Sequence, residues 1–277
     1  MPEHAEVRLN ADLLNTISNR GALINKIQVN PVIKHNRQDL DEMVFGKDRS
    51  PIVFSAESRG KELAIDFEKG NSIQRMVFTL GMSGAFGVRE EPSFENHDHV
   101  WFQFSNSPQT LVYNDVRRFG RWDFRTWKDY RSPDPVFEFD AFKENILNNL
   151  DSKPFTNKDI GSVLMNQKYF NGLGVYLVST ILYHTNQNPF QNAAKAIQEN
   201  TEILPYCKFA CEFAYRHQGG QFSTWKNPFE GLESEVELNQ DFAEWKYYKD
   251  GLSCKTKSRR PLWFDPKWKS ECPYEIR

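Results

Sequence analysis

The sequence has few cysteines and lacks the spacing of a zinc finger. Its 277 residues include four, Cys207, Cys211, Cys254 and Cys272. No two of them are three residues apart, so the chain has no CxxC pair, the usual building block of a structural zinc site. Cys207 and Cys211 are spaced as neighbours on one helix face. We interpret all four as reduced, partly buried thiols, with a zinc site that combines them as the alternative.

Long apolar runs and a large net charge are also lacking. The first twenty residues carry charges and have no apolar core of a secretory signal, and no later apolar run approaches bilayer length. These absences predict an intracellular protein without a membrane span. The net charge of −2 and the pI near 6.3 argue against a nonspecific nucleic-acid coat protein. Charge is nevertheless polarised, since residues 227–244 are acidic and residues 245–270 are basic.

The hydrophobic pattern changes near the middle of the chain. An amphipathic helix is predicted at 3–19, and the segment up to about residue 126 then has the alternating pattern of a β-sandwich. A proline-containing linker follows, and the rest is predicted to be helical, ending in a basic hairpin. The predicted strands are 51–56, 62–67, 75–80, 100–105 and 110–115, and the predicted helices are 140–150, 157–166, 175–185, 189–200 and 203–217.

Pro2 is a candidate nucleophile. Removal of Met1 by an aminopeptidase would leave Pro2 with a secondary amine, which can add to an aldehyde and lose water to form an iminium. Glu3 supplies a carboxyl group for proton transfer beside it. The positive end of the predicted helix disfavours the protonated amine, whereas Glu3 and Glu6 favour it.

Lys61 stands at the start of a predicted strand. It shares the parity of Leu63, Ile65 and Phe67, which predicts that its side chain points toward the interior side of the sheet. An ammonium group in that position suits a phosphate anchor. The alternative is a lysine that buries its methylene groups and extends its charge into water.

Two glycine-containing loops carry bulky or cationic side chains. The segments GMSGAF at 81–86 and DVRRFGRWDF at 115–124 suit insertion into a duplex, where an apolar wedge and an arginine replace an extruded base. In the alternative, Met82 and Phe119 are core residues and the arginines pair with Asp115 and Asp123. The segment His97-Asp98-His99 is interpreted as a turn that enters a strand rather than as a metal site, because no third ligand is apparent.

Taken together, these motifs resemble, in content and order, those of the formamidopyrimidine-DNA glycosylase and endonuclease VIII family. The resemblance is closest to the animal Nei-like enzymes with a zincless finger, and it extends over essentially the whole chain. It rests on Pro2-Glu3 with Glu6, SRGKEL at 58–63, GMSGAF at 81–86, HDHV at 97–100, DVRRFGRWDF at 115–124, FNGLG at 170–174, ILY at 181–183 and RRPLWF at 259–264.

The resemblance implies an α+β multidomain fold. An N-terminal β-sandwich with an N-terminal helix would form the catalytic domain at 1–128, followed by a linker at 129–139. A helix-two-turn-helix DNA-binding domain would occupy 140–245, and a zincless finger hairpin with a C-terminal tail would occupy 246–277.

It also implies a bifunctional DNA glycosylase and AP lyase of base excision repair. Such an enzyme excises oxidised bases, here mainly pyrimidines, and cuts the strand by β,δ-elimination through a Schiff base on the N-terminal proline. The implied partner is double-stranded DNA with oxidised bases or abasic sites, extending to single-stranded or bubble DNA. No cofactor, metal or membrane is expected, and the protein is expected to be a nuclear monomer.

Individual roles follow by position from the same resemblance. Pro2 would be the Schiff-base nucleophile, Glu3 the general acid and base, Glu6 a supporting carboxylate and Lys61 a phosphate and catalytic contact. The implied DNA-binding residues are Met82, Arg117 and Phe119, which would fill the gap left by the flipped nucleotide, together with Arg118, Gly172, Gly174 and the finger residue Arg260.

The chain also departs from the family pattern. Val175 stands where the family has an asparagine that binds phosphate, Thr180 replaces a glutamate, and His4 stands where a small residue or leucine is usual. One alternative is therefore a catalytically impaired relative that binds damaged or branched DNA. A second is another N-terminal-proline enzyme of tautomerase type, for which the wedge and finger motifs would have no use.

Overall fold

The computed structural model describes residues 1–33, 39–93, 97–219, 247, 251–256 and 259–277. These residues form two compact units. The sheet unit contains residues 1–2 and 7–127, and the helical unit contains residues 3–6 and the described residues from 128 onward. The boundary predicted at 245 and 246, between the helical domain and the finger, lies outside the described residues.

The sheet unit is built from short, mostly antiparallel strands. Its elements are α1 (His4–Asn19, of which the first residues belong to the helical unit), β1 (Ile24–Val29), α2 (Leu40–Phe45), β2 (Val53–Arg59), β3 (Glu62–Lys69), β4 (Ser72–Thr79), β5 (Ala85–Arg89), β6 (Asp98–Phe104), β7 (Thr110–Asn114) and β8 (Arg121–Phe124). One sheet has the order β1-β6-β7-β5 and the other β2-β3-β4-β8.

Aromatic side chains join the two sheets into a sandwich. Phe54 of β2 lies 6.2 Å, centre to centre, from Phe104 of β6, and Phe67 of β3 lies 6.3 Å from Phe102 of β6. All four are buried, which is the arrangement expected when the inner faces of two sheets interdigitate. The predicted β-sandwich is confirmed.

Four elements of this unit were not predicted, namely β1, α2, β5 and β8. In β1 only Ile24 and Ile27 are buried, so its residues do not alternate clearly between apolar and polar. β8 exposes Arg121 and Asp123, and β5 contains Gly87, which is a poor strand former. β1 and β5 owe their conformation to pairing with neighbours, whereas β8 alternates between exposed and buried residues but is only four residues long.

The helical unit contains six helices and a hairpin among the described residues. They are α3 (Phe139–Leu147), α4 (Lys153–Asn157), α5 (Ile160–Leu164), α6 (Val175–His184), α7 (Ala193–Glu199), α8 (Ile203–Arg216), β9 (Leu252–Lys255) and β10 (Pro261–Phe264), followed by a 3-10 helix (Pro266–Glu271). The single helix predicted at 157–166 is wrong. The backbone is extended at Lys158 and Asp159, and the Asp159 carboxylate accepts from the N–H of Ser162 at 2.7 Å, which starts α5.

The predicted C-terminal hairpin is formed by β9 and β10. Cys254 pairs with Leu262 in an antiparallel register, and Leu262 and Phe264 are buried in the core of the helical unit. The N–H of Trp263 donates to Ser179 of α6 at 3.2 Å. The four cysteines are free thiols, and the described residues contain no group of three or more His, Cys, Asp or Glu arranged to hold a metal ion.

Over the described ranges, no helix combines the length and the apolar character that a membrane crossing requires.

Candidate functional site

The carboxylate of Glu3 lies on the N-terminus of α6. Its Oε2 accepts from the backbone N–H of Gly174 at 2.7 Å and of Leu177 at 3.3 Å, and its Oε1 accepts from the N–H of Tyr176 at 3.1 Å. The first N–H groups of a helix have no partner within the helix and carry its positive partial charge. Glu3 is only 2% exposed. Its carboxyl group is therefore fixed in position by these three bonds.

Glu6 supports Glu3 from the next turn of α1. Its Oε2 accepts from the backbone N–H of Glu3 at 2.8 Å, and the hydroxyl of Tyr176 donates to it at 3.1 Å. Burial raises the pKa of Tyr176 well above its ordinary value of 10.0, and the nearby charges of Glu6 and Glu3 raise it further. Tyr176 thus remains a hydrogen-bond donor at neutral pH. Sequence reasoning missed this residue, although it follows the FNGLG motif closely.

The glycine turn before α6 holds the N-terminal residues. Gly172 adopts a φ of 90°, in the region that favours glycine. Its N–H donates to the side chain of Gln167 at 3.1 Å, and its carbonyl accepts from the N–H of His4 at 3.0 Å. Because the N–H of Gly174 is bonded to Glu3, neither glycine has an amide N–H left for a phosphate. In this structure the two glycines hold residues 3 and 4, and their role in DNA contact stays a prediction.

His4 forms a buried pair with Asp134. The Nε2 of His4 lies 3.1 Å from both carboxylate oxygens of Asp134, and each side chain is 1% exposed. The sequence showed His4 only as a departure from the family pattern. Nothing in the sequence links two residues separated by 130 positions.

Lys61 occupies the tip of a tight hairpin between β2 and β3. Arg59 pairs with Glu62 across the two-residue turn, and Gly60 takes a φ of 60° as such turns require at their first central position. Lys61 is 8% exposed and its Nζ is buried. This burial excludes the alternative of a lysine that extends its charge into water.

The two glycine-containing loops lie against each other within the sheet unit. A Cβ on Gly81 would come within 2.6 Å of the backbone nitrogen of Gly120, so the close approach requires glycine. The hydroxyl of Ser83 accepts from the N–H of Arg117 at 2.9 Å and donates to Asp115. Asp115 also accepts from the N–H of Gly120 at 2.7 Å. The structure thus brings together the two segments that the sequence singled out.

The wedge candidates project from these loops. Met82 is 38% exposed and Phe119 is 53% exposed, so the alternative that both are core residues is wrong. The guanidinium carbon of Arg117 lies 5.3 Å from the centre of the Phe119 ring, in the range of a cation–π contact. Arg118 is exposed beside them, with a φ of 56°.

Arg260 lies at the start of β10. Its Nη1 donates to the backbone carbonyl of Met165 at 3.3 Å, just before the turn that leads to Gly172. The residue is exposed. The guanidinium is therefore held beside the segment that leads to the glycine turn.

His97 and Asp98 form a turn into β6. His97 has a φ of 61°, and Asp98 accepts from Arg89 at 3.1 Å, from the N–H of Ser93 at 2.9 Å and from Asn114 at 2.9 Å. The prediction of a turn that enters a strand is confirmed.

The chain is similar to known DNA glycosylases in sequence. Residues 1–122 match the family model of the formamidopyrimidine-DNA glycosylase N-terminal domain. Endonuclease 8-like 1 of Homo sapiens is 32% identical over 221 residues, which cover 74% of this chain and 53% of that protein, and the Mus musculus protein is 31% identical over 216 residues with the same coverage. The chain thus spans about half the length of these two relatives. A formamidopyrimidine-DNA glycosylase of Streptococcus agalactiae is 28% identical, and the match covers 74% of both chains.

Solved structures share the fold over nearly the whole chain. The MutM (Fpg) protein of Thermus thermophilus superposes with a TM-score of 0.70 at 19% identity, covering 98% of this chain and 100% of that one. A Lactococcus lactis FPG mutant, in complex with DNA that contains Fapy-dG, gives a TM-score of 0.70 at 21% identity, covering 96% and 99%. From the family model, the sequence relatives and this common fold, we conclude that the chain belongs to the formamidopyrimidine-DNA glycosylase and endonuclease VIII family.

Proposed function

We propose that this protein is a DNA glycosylase and AP lyase that removes oxidised bases, mainly pyrimidines, in base excision repair. The observation that carries the proposal is the fixed position of Glu3. A buried carboxylate on three helix N–H groups, directly after Pro2 in the chain, provides an oriented acid and base next to a candidate amine nucleophile.

Once Met1 is removed, the nitrogen of Pro2 attacks the C1′ atom of the damaged nucleotide. The bond between C1′ and the base breaks, and the base leaves with the electron pair and takes up a proton. The Glu3 carboxylate takes the N–H proton from the Pro2 nitrogen, which frees the electron pair of that nitrogen, and passes the proton to the sugar ring oxygen. The ring then opens, and the electron pair forms an iminium with C1′. Glu6 and Tyr176 hold the backbone of Glu3 during these steps.

Strand cleavage uses the same iminium. Loss of a proton from C2′ expels the 3′ phosphate in a β-elimination, and a further proton loss expels the 5′ phosphate in a δ-elimination. Water then releases Pro2 from the sugar fragment. No cofactor or metal takes part in this scheme.

The DNA contacts are assigned to three groups of residues. Met82, Arg117 and Phe119 fill the space of the extruded nucleotide, with Arg118 beside them, because they are exposed on two loops that a hydrogen bond from the Arg117 N–H to the Ser83 hydroxyl joins. Lys61 contacts a phosphate near the reacting sugar, and Arg260 contacts phosphate from a finger hairpin that needs no zinc. The substrate is duplex DNA with oxidised bases or abasic sites, extending to single-stranded or bubble DNA. The protein acts as a monomer in the nucleus.

Borohydride reduction of the protein with an abasic duplex tests the proposal. Reduction converts the iminium to a stable amine, so the wild-type protein should form a covalent adduct with DNA. Pro2→Thr, or retention of Met1, should abolish the adduct while the Kd for the duplex stays within about three-fold, because chemistry and binding use different residues. Undiminished trapping by the protein that retains Met1 would contradict the proposal. Duplexes that each carry one oxidised base would then identify the preferred lesion.

A second candidate function is binding of damaged or branched DNA without turnover. It is favoured by Val175, the first residue of α6, which packs partly buried against the helical core and whose side chain offers a phosphate no donor. Tight binding of an abasic duplex without adduct formation would support this function instead.

A further inference from the structure

We propose that the buried His4–Asp134 pair positions the carboxyl group of Glu3 for catalysis. The inference rests on the proposed function and adds two positioning residues to it. It concerns contacts within the helical unit alone, to which residues 3–6 and 134 both belong.

His4 is attached to the helical unit at two points. Its backbone N–H donates to the carbonyl of Gly172 at 3.0 Å, and its Nε2 donates to the carboxylate of Asp134, with 3.1 Å to each oxygen. The first contact fixes the peptide bond between Glu3 and His4. The second fixes the direction in which the Cα–Cβ bond of His4 points. Together they leave the residue no freedom to rotate about its own backbone.

Asp134 is itself held rigidly. Its Oδ1 accepts from the N–H of Val136 at 2.8 Å and of Phe137 at 3.1 Å, and its own N–H donates to Glu138 at 2.7 Å. Ser132, two residues before Asp134, donates its N–H to the carbonyl of Gln167 at 3.0 Å. The carboxylate that receives His4 is therefore anchored to the same glycine turn that receives Glu3.

A carboxylate buried to this degree is costly unless its charge is matched by donors. His4 provides a further donor to Asp134, in addition to the two backbone amides. Its ring lies 6.2 Å from that of Phe137, which packs beside the pair. An equally buried apolar side chain at position 4 would leave Asp134 without that donor. The pair thus contributes a specific hydrogen bond and not only packing.

The consequence for Glu3 follows from chain geometry. Consecutive Cα atoms are about 3.8 Å apart, so a rigid residue 4 leaves residue 3 little room to shift. Displacement of a catalytic group by about 1 Å can lower a rate a hundred-fold. We infer that without the pair, the Glu3 carboxylate would move among the amides of Gly174, Tyr176 and Leu177 rather than occupy one position.

Substitutions at His4 test whether the side chain must be long enough for its donor nitrogen to reach Asp134. A glutamine amide nitrogen lies the same number of bonds from Cα as Nε2 of histidine, so His4→Gln retains a donor to Asp134. An asparagine is one bond shorter, so His4→Asn retains polarity but loses the contact. The measurement is the single-turnover rate of cleavage of an abasic duplex with enzyme in excess, together with the Kd for that duplex and the melting temperature of each variant.

We expect His4→Asn and His4→Ala to lower the single-turnover rate at least about ten-fold, while their Kd stays within about three-fold of the wild-type value. His4→Gln should keep a rate within about three-fold of the wild-type rate. The matched control is Arg89→Ala, which removes the cationic partner, at 3.1 Å, of another buried carboxylate, Asp98, in the sheet unit. It should lower the melting temperature but not the rate of the folded protein.

A second arm shows whether His4 acts through Glu3. In a Glu3→Gln background, where the acid and base is already lost, His4→Asn should change the residual rate less than about two-fold, because residues that act as a unit are not additive. An equal loss in both backgrounds would overturn the inference, as would variants that retain the wild-type rate. A wild-type protein that forms no borohydride adduct would instead overturn the proposed function, and the positioning role with it.

Discussion

The backbone N–H of Arg117 donates to the hydroxyl of Ser83 at 2.9 Å, and this bond joins two loops that are 34 residues apart in the sequence. It leaves the guanidinium of Arg117 facing the Phe119 ring at 5.3 Å, with both side chains exposed. Exposed apolar side chains that lie close together mark a binding site more often than single ones do. For the proposed insertion into a duplex, this arrangement would be a preformed wedge that does not have to be assembled when DNA binds.

The first prediction concerns this wedge. Phe119→Ala and Met82→Ala should each slow single-turnover excision of an oxidised base from a duplex by roughly ten-fold or more, since unstacking a base in a duplex costs a few kcal/mol. Excision of the same oxidised base from single-stranded DNA, where little unstacking is needed, should change by less than about three-fold. Ile73→Ala, which removes another exposed apolar side chain from the sheet unit, serves as the control and should affect neither substrate. Equal losses on both substrates would contradict the wedge.

The second prediction concerns the phosphate contacts. Lys61→Ala and Arg260→Ala should each reduce the slope of log K against log salt concentration by about one, because each removes one neutralised phosphate. Binding should weaken to a similar extent on any DNA sequence. Arg49→Ala is the control, since Arg49 is an exposed arginine already paired with Asp41 and Glu42. If neither Lys61→Ala nor Arg260→Ala changes the slope, both residues have structural roles.

The sequence predicted those strands of the sandwich well whose apolar residues form a clear pattern over several positions. In β3 and β4 the apolar residues alternate or run together, and the predicted strands lie within a few residues of those observed. β8 does alternate, with Arg121 and Asp123 exposed on either side of the buried Trp122, but it has only four residues, too few for the pattern to stand out, and β4 pairs with it. The break between α4 and α5 was missed because the cap on Asp159 depends on one local hydrogen bond.

For the candidate site, the sequence indicated the reactive residue types but not what holds them. Pro2, Glu3 and Glu6 could be named from their chemistry and their place at a helix start. The amides that hold Glu3 follow it by more than 170 positions, and the link from His4 to Asp134 spans 130. Such contacts depend on the packing of the helical unit, which no local pattern encodes. The roles of the site residues remain predictions.

The third prediction concerns alkaline pH. Burial raises the pKa of Tyr113 and Tyr176 well above their ordinary value of 10.0, and burial together with Cys272 raises that of Cys254 from 9.0 to about 12. Below about pH 8 these groups are protonated in both the folded and the unfolded chain and have no effect on stability. Above it the unfolded chain ionises first, so the free energy of unfolding should fall as the pH rises.

Urea unfolding at several pH values between about 7.5 and 10.5 measures this decline. Tyr176→Phe should make the dependence on pH less steep near pH 10, because one of the titrating groups is removed. Tyr130→Phe, at a tyrosine that is 60% exposed, should leave the dependence unchanged. A free energy of unfolding that stays constant over this range would contradict the prediction.

The last prediction concerns Val175, which begins α6 directly after Gly174. An asparagine there would offer an amide donor to a phosphate, and a hydrogen bond to a charged acceptor contributes roughly 1.5–3 kcal/mol. We therefore expect Val175→Asn to lower the Kd for an abasic duplex by about ten-fold, the low end of that range. Because Val175 packs only partly buried against the helical core, the melting temperature should fall slightly.

Val175→Ala separates the two effects. It removes the same apolar contacts without adding a donor, so it should lower the melting temperature by a similar amount and leave the Kd unchanged. If Val175→Asn matches Val175→Ala in both measurements, the turn before α6 does not reach a phosphate. The amides of that turn would then bind Glu3 alone, and DNA binding would depend on Lys61, Arg260 and the wedge. The absence of the asparagine would then be no argument for a protein that binds DNA without turnover.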